Sequence, residues 1–501
     1  MNSPVGFLAM LFALGLVCSV GFTGLARIAA RRIGLVDKPD GRRKMHGRVV
    51  PVAGGIAVFT STVLVLAPAS LLPGAVAEAV AGHLNALLWL LIASALICLV
   101  GVVDDARGLR GRYKLCGQIV AVMVVVATGP QITSVALFGW TVELGYLAIP
   151  LTAFWLLGAI NSLNLLDGMD GLLGTVATII CLAIAGMAAM HGQYVEACVA
   201  VTLAGSLVGF LRYNLPPATI FLGDAGSMLI GLVIGVLAIR CSLKGPTTVA
   251  LAAPAALLVL PIFDTLAAVV RRKLTGRSIF STDRGHLHHC LLRGGLSRPR
   301  VLLLVASLCI VAVFGVLASI AYHNEALAVA SALVVVVILV ATRLFGHAEF
   351  MLLVQSARAL SRSVLGGAPP CGKRLEVRLQ GTAEWGELWT RLTDCAGRLN
   401  LRTVALDVNA PAHHEAYHAR WSRPMETRGE EPVCWSAVLL LTAWGQTVGQ
   451  VTVSGLPDGE PVWQKLAALG RVTDAAETVL AEAARPPVTV PAATVAETVS
   501  A

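Results

Sequence analysis

Hydrophobic positions run through the first two thirds of the chain in long unbroken blocks, without the alternation or one-sided stripe of soluble strands and helices. A helix needs about 20 mostly apolar residues to cross a bilayer. Eleven blocks meet that requirement in outline, at 5–26, 51–73, 84–103, 114–130, 143–160, 172–190, 194–211, 219–240, 248–270, 300–321 and 326–345. Basic residues orient them, because short loops rich in Lys and Arg stay in the cytoplasm. The first connection carries Arg27, Arg31, Arg32, Lys38, Arg42, Arg43, Lys44 and Arg48, so the N-terminus is expected outside. Counting onward puts 106–114, 161–171, 212–219 and 271–300 inside as well. The opposite loops are nearly free of Lys and Arg, apart from Arg240 and Lys244. A short β-prone stretch at 132–144, broken by Gly139, predicts a small external hairpin.

Past Phe345 the pattern changes. Leu375-Glu-Val-Arg-Leu-Gln380 alternates like a strand, 385–399 has helical spacing, and 404–408, 438–441 and 449–453 read as strands. The expected fold is therefore an all-α polytopic membrane protein of about eleven transmembrane helices, with a small α+β cytoplasmic C-terminal domain. Its divisions are a transmembrane domain at 1–345, a linker at 346–372, the α+β domain at 373–482 and a disordered tail at 483–501. His413, His414 and His418, beside Glu415, read as solvated loop residues rather than a metal site, and nothing else in the domain carries chemistry.

Composition agrees with a membrane protein. The 501 residues are 56% hydrophobic and 13% charged, against about 25% charged in soluble proteins. The formal charge of +9 is gathered in a few loops, which suits membrane orientation and phosphate chemistry; no nucleic-acid-binding signature accompanies it. The 11 cysteines show no paired spacing, so neither a disulfide framework nor a zinc finger is expected. No Lys or Arg precedes the first apolar block, which argues against a cleaved signal peptide.

Four loops on the expected cytoplasmic side carry the candidate chemistry. In Asn161-Ser-Leu-Asn-Leu-Leu-Asp-Gly-Met-Asp-Gly-Leu172, a continued helix would put Asp167 and Asp170 on one face, with Asn164 a turn earlier. The bland reading is a polar turn between two helices. Two amides and two carboxylates beside Gly168 and Gly171 suit a ribose, a base edge or a metal-bound phosphate better. Asp104-Asp105 closes the third block; adjacent carboxylates repel unless a cation offsets them, and the basic cluster through Lys114 offers that partner. Phe221-Leu-Gly-Asp-Ala-Gly-Ser227 opens the eighth block, where Asp224 either caps the helix or serves a phosphate at its N-terminus. Arg271, Arg272, Lys273 and Arg277 lead into Asp283-Arg-Gly-His-Leu-His-His289. Zinc would want softer or more convergent ligands than these histidines, and an Arg-crowded loop suits a diphosphate. Together the loops hold the inventory for metal-assisted phosphoryl transfer. The competing class is a membrane transporter or a receptor with a cytoplasmic sensor domain; a transporter would instead place ionisable groups near mid-membrane. Glu143, Glu196 and Asp264 lie near span ends, and no inverted repeat is visible.

In order and content, these pieces resemble the polyprenyl-phosphate N-acetylhexosamine-1-phosphate transferase family, which includes the phospho-MurNAc-pentapeptide translocases. The resemblance covers 1–345 and rests on Leu35-Val-Asp-Lys-Pro-Asp40, His46, the run 51–56, Asp104-Asp105, the 161–172 and 221–227 motifs, Pro261-Ile-Phe-Asp264 and His286-Leu-His-His289. The His-x-His-His form is similar to the branch using UDP-N-acetylglucosamine. The resemblance implies transfer of N-acetylglucosamine-1-phosphate from UDP-N-acetylglucosamine, or another UDP-N-acetylhexosamine, to undecaprenyl phosphate. That is the first lipid-linked step of a cell-envelope polysaccharide, at the cytoplasmic face of the cell membrane. It implies Mg2+, with Mn2+ as the alternative, held by Asp224 and, as further candidates, Asp104 and Asp105. Asn164, Asp167 and Asp170 would serve the nucleotide, and His286, His288, His289 and Arg277 the diphosphate and sugar. Asp104 and Asp105 would act beside the lipid phosphate. Further substrate contacts are expected from Lys38, His46, Asn161 and Asp264. A homodimer is left open.

Overall fold

The computed structural model describes residues 3–37, 49–72, 74–129, 131–137, 140–242, 252–274, 285–351, 353–354, 357, 373–380, 385–410, 415–423, 434–443 and 446–483. Lys38, His46, Arg277, His413, His414 and all of the expected tail at 483–501 except Ala483, which ends a helix, lie outside them. Packing divides the chain into two units, a helical one made of most of 1–347 and a second that takes the residues from Arg271 to Arg277 together with Ala348 onward.

The helical unit follows the apolar blocks. Its long helices are α1 (Pro4–Ile33), α2 (Gly54–Leu66), α4 (Leu84–Arg107), α5 (Gly111–Thr128), α6 (Ala148–Leu166), α7 (Leu172–Met190), α8 (Tyr194–Asn214), α9 (Gly223–Ser242) and α13 (Arg298–Ala321). Counting the 3-10 turns that extend α2 and α6, these are the nine helices among the described residues long and apolar enough to cross a membrane. Short α3 (Ala75–Gly82) precedes α4. Two of the eleven expected spans differ. The segment expected at 248–270 is split at Leu258 into α10 (Ala252–Leu257) and α11 (Val259–Leu274), whose last turn carries Arg271, Arg272 and Lys273. The last, α14 (Glu325–Ala341), has 17 residues. Between α11 and α13 lies the short α12 (Leu287–Arg293).

Within this unit α1 and α7 pack on α8, while α4 and α6 pack on α9. The small ribbon β1 (Val36–Asp37) and β2 (Val50–Pro51) leads into α2. Its continuation bonds to the start of α9: Phe221 N donates to Pro51 O at 2.8 Å, Gly54 N to Phe221 O and Gly55 N to Leu222 O, both at 2.9 Å. Two motifs far apart in sequence are thereby fixed backbone to backbone. The expected hairpin is present as β3 (Ser134–Leu137) and β4 (Trp140–Glu143).

The second unit has a five-stranded antiparallel sheet, β5 (Lys373–Gln380), β6 (Leu401–Ala410), β7 (Glu415–Ser422), β8 (Trp435–Ala443) and β9 (Gln446–Gly455), in the order β5-β7-β6-β9-β8. Helices Trp385–Arg398 and Val462–Ala483 join its core through Trp389, Leu392 and Leu469, against Leu406 and Val451. The reading of His418 as a loop residue is corrected here. It lies buried on β7, with Nδ1 3.6 Å from Asp407 Oδ1 on the paired strand. Tyr417, Ala419 and Trp421 supply the inward face of that strand, a period-2 signal hidden by the polar residues between them.

Candidate active site

Adjacent aspartates cannot comfortably share one environment, and the structure sends Asp104 and Asp105 to different partners. Asp105 caps a distant helix: its Oδ1 accepts from Asp224 N at 2.9 Å and its Oδ2 from Ala225 N at 3.2 Å, at the first turn of α9. The alternative reading of Asp224 as the cap of its own helix gives way to this arrangement. The close approach requires Gly223, whose φ is +75°, and a Cβ there would lie 2.5 Å from Asp105 Oδ2. Asp104 accepts from Leu109 N at 2.7 Å and faces Lys114 Nζ at 3.0 Å.

Lys114 is the centre of the cluster. Its Nζ lies 2.9 Å from Asp224 Oδ1 and donates to Asn164 Oδ1 at 3.2 Å. The Asn164 amide donates in turn to Asp224 Oδ1 and to Ser227 Oγ, the latter at 2.7 Å. One ammonium thus lies between two carboxylates from two other helices. Burial and the negative charges of Asp224, Asp105 and Asp170 push the Asp167 carboxyl well above the usual carboxylate range.

The loop after α6 is a turn rather than a continued helix. Asp167 is the C-terminal cap residue and Gly171 has φ +75°. Asp167 and Asp170 therefore do not share a helical face. Asp170 braces the loop, accepting from Ala218 N at 3.1 Å and lying 3.3 Å from an Arg298 guanidinium nitrogen. Asn214 holds the next residue, accepting from Gly171 N at 3.0 Å.

The histidine motif meets this loop from the other side. Asp264 on α11 is 1% exposed; its Oδ1 lies 3.2 Å from His286 Nδ1 and accepts from Leu287 N at 3.0 Å. It orients His286 and caps α12, instead of offering a free carboxylate to a substrate. His288 is 2% exposed, and neither ring nitrogen has a hydrogen-bond partner among the described residues. Burial, and then His289 and His286, hold it well below the usual imidazole range, so it is neutral at pH 7. Its ring lies against Gly168, where a Cβ would fall 2.3 Å from His288 Cε1 and Nε2. Gly168→Ala should therefore cost about 1–3 kcal/mol, as overpacking does. Melting temperature and turnover in detergent would both fall; two unchanged values would show that the His288 ring moves aside freely.

Asn161 is turned away from the loop, toward Gln118 on α5, which is 1% exposed. Lys114, Gln118, Ser227, Asn214 and Arg298 are the structural participants that sequence reading did not single out as site residues. For the first two a signal existed, as an i, i+4 polar pair within an apolar block.

Comparison with known proteins identifies relatives of this chain. The profile of glycosyl transferase family 4 matches residues 87–242, a range that includes Asp104, Asp105, Lys114, Asn164 and Asp224. The probable undecaprenyl-phosphate N-acetylglucosaminyl 1-phosphate transferase of Bacillus subtilis is 31% identical over 296 residues, covering 59% of this chain and 80% of the relative. The decaprenyl-phosphate N-acetylglucosaminephosphotransferase of Mycolicibacterium smegmatis is 33% identical over 364 residues, covering 68% and 88%. The undecaprenyl-phosphate alpha-N-acetylglucosaminyl 1-phosphate transferase of Salmonella typhi is 30% identical over 305 residues, covering 59% and 80%. With matches this extensive, and with the motifs gathered into one cluster, the chain belongs to glycosyl transferase family 4.

Proposed function

We propose that this multi-pass membrane enzyme transfers N-acetylglucosamine-1-phosphate from UDP-N-acetylglucosamine to undecaprenyl phosphate, releasing UMP. We further propose that the site uses Mg2+ and faces the cytoplasm. The observation that carries the reading is the Lys114 ammonium between Asp104 and Asp224, with the Asn164 amide beside it. This is an oxygen-rich cluster where four helix ends meet, with one ammonium between two carboxylates. The relatives' names supply the sugar and the polyprenyl acceptor.

Among the described residues, no three His, Cys, Asp or Glu side chains converge to hold a metal by themselves. Mg2+ asks for less, being bound through one or two carboxylates and completed by substrate phosphates and water. The oxygen donors of Asp224, Asn164 and Asp104 fit that habit, and Asp224 is the principal ligand in this reading. When bound, the ion supplies charge neutralisation on the diphosphate.

In the reaction an oxygen of the lipid phosphate forms a bond to the β-phosphorus of the nucleotide sugar. The bond from that phosphorus to the bridging oxygen breaks, and UMP leaves with the electron pair. A phosphate monoester has its second pKa near ~6, so the attacking group is already largely dianionic at neutral pH. Asp104 and Asp105 are then needed for position and charge balance, Asp105 by fixing the start of α9 and Asp104 by holding Lys114. His286, oriented by Asp264, presents its remaining ring nitrogen for the diphosphate or sugar.

Purified protein in detergent should form the lipid-linked product and UMP from UDP-N-acetylglucosamine or its epimer UDP-N-acetylgalactosamine. It should use UDP-MurNAc-pentapeptide at least about tenfold less well, and chelation should stop turnover until Mg2+ is restored. Efficient use of the pentapeptide nucleotide would defeat the sugar assignment, and full activity after exhaustive chelation the metal assignment. Orientation is checked separately. Single cysteines at positions 108 and 169 in a Cys-free background should resist an impermeant thiol reagent applied to intact cells, whereas one at position 78, exposed on the opposite side, should react. Labelling of position 169 from outside would overturn the cytoplasmic site.

A further inference from the structure

One helical turn below the Lys114 cluster lies a second polar layer, inside the apolar span. Gln118 and Asn161 form a reciprocal amide pair: Asn161 Nδ2 donates to Gln118 Oε1 at 2.9 Å, and Gln118 Nε2 donates to Asn161 Oδ1 at 3.3 Å. Their remaining donors are used too, Gln118 toward Met228 Sδ at 3.2 Å and Asn161 toward Leu157 O at 2.8 Å. All four amide N–H groups of the pair thus have acceptors among the described residues.

Its connectivity repeats that of the layer above. Helix α5 supplies Lys114 and, four residues on, Gln118. Helix α6 supplies Asn164 and, three residues earlier, Asn161. Helix α9 supplies Asp224 and, four residues on, Met228. Residues three and four apart lie above one another on a helix face, so the lower contacts tie together the same three helices that the upper contacts use. A buried amide pair has far fewer acceptable registers than an apolar contact, because any slip leaves donors unpaired.

We propose that Gln118 is a positioning residue for the transferase. Its amide pair with Asn161, closed on Met228, sets the register of α5 against α6 and α9, and so holds Lys114, Asn164 and Asp224 at their working separation. The proposal rests on the transferase reading above and gives the lower layer a task within it. It also separates the two asparagines of the 161–172 motif: Asn164 belongs to the reacting layer and Asn161 to its support.

The test compares Gln118→Leu with the double variant Gln118→Leu/Asn161→Leu. The single change leaves the Asn161 amide unpaired in an apolar span, so melting temperature and turnover should both fall. The double change removes both partners, leaves no orphaned amide and should bring the melting temperature back close to that of the wild type. Turnover should not return with it. We expect kcat to stay at least about tenfold low, since misplacement of about 1 Å can cost a hundredfold, while KM for UDP-N-acetylglucosamine moves much less. A swapped pair, Gln118→Asn/Asn161→Gln, rebuilds an amide contact and should recover more kcat than the double leucine. A double leucine variant with wild-type kcat would show that the layer is only packing and overturn the proposal. A wild-type protein that fails to transfer sugar phosphate at all would instead bring down the transferase reading. If the double variant does not fold, the swapped pair decides: stable protein with kcat no better than the single variant also overturns the proposal.

Discussion

Asp224→Asn is expected to lower turnover by roughly a thousandfold, the upper range for removing one electrostatic group from a preorganised site. The protein should still insert and purify normally. The side chain is nearly isosteric, and the first turn of α9 is capped by Asp105 through backbone groups that the substitution leaves in place. What changes is charge. The Lys114 ammonium loses one of its two carboxylates, and the principal oxygen ligand proposed for Mg2+ loses its negative charge. Turnover measured at saturating Mg2+ decides the matter, and a near-normal rate there would remove Asp224 from the metal role.

Lys114→Met should be almost as damaging, for the opposite reason. Without the ammonium, Asp104 and Asp224 face each other uncompensated. Breaking a buried ion pair costs roughly 3–5 kcal/mol. These side chains retain 9–30% exposure, so solvent screening brings the cost to the lower end. The expected result is a clearly lower melting temperature in detergent and a kcat reduced about a hundredfold. High Mg2+ should recover part of the stability, because a divalent ion can occupy the same negative pocket. Full activity in the methionine variant would leave Lys114 as a counter-ion of no consequence to the chemistry.

Much of this architecture is legible in the chain because its main signal is length of apolar run. The nine long helices and the hairpin follow from that signal and from turn residues. It fails where a span is interrupted by its own polar business. The block expected at 248–270 breaks at Leu258 before Asp264 and the basic end of α11, and hydropathy alone does not see the break. At the site, the motifs give the residues but not their pairings. Asp105 caps α9 from 119 positions away, and Asp264 caps α12 from 23. Local capping rules consider only neighbours in sequence, so both carboxylates read as free ligands. Asn161 misled in the same way: its type suggested a substrate contact, and its partner Gln118 lay in a helix read only as apolar. His418 was misread because a strand two pairings deep in a sheet can bury a polar residue that would be solvated in a loop.

Helices α2 and α4 each touch the start of α9 without side chains between them. A Cβ on Gly101 would lie 2.3 Å from Ala225 Cα, and one on Gly55 would lie 2.2 Å from Gly226 N. In a saturation-mutagenesis screen scored by growth or product, Gly55 and Gly101 should therefore fall in the same intolerant class as Asp224, although neither carries a functional group. Any replacement there levers α2 or α4 away from the start of α9, and the damage would register as lost transfer. Intolerance along this seam is a record of distance kept between backbones, and a map of the active site drawn from such a screen alone would extend too deep into the membrane.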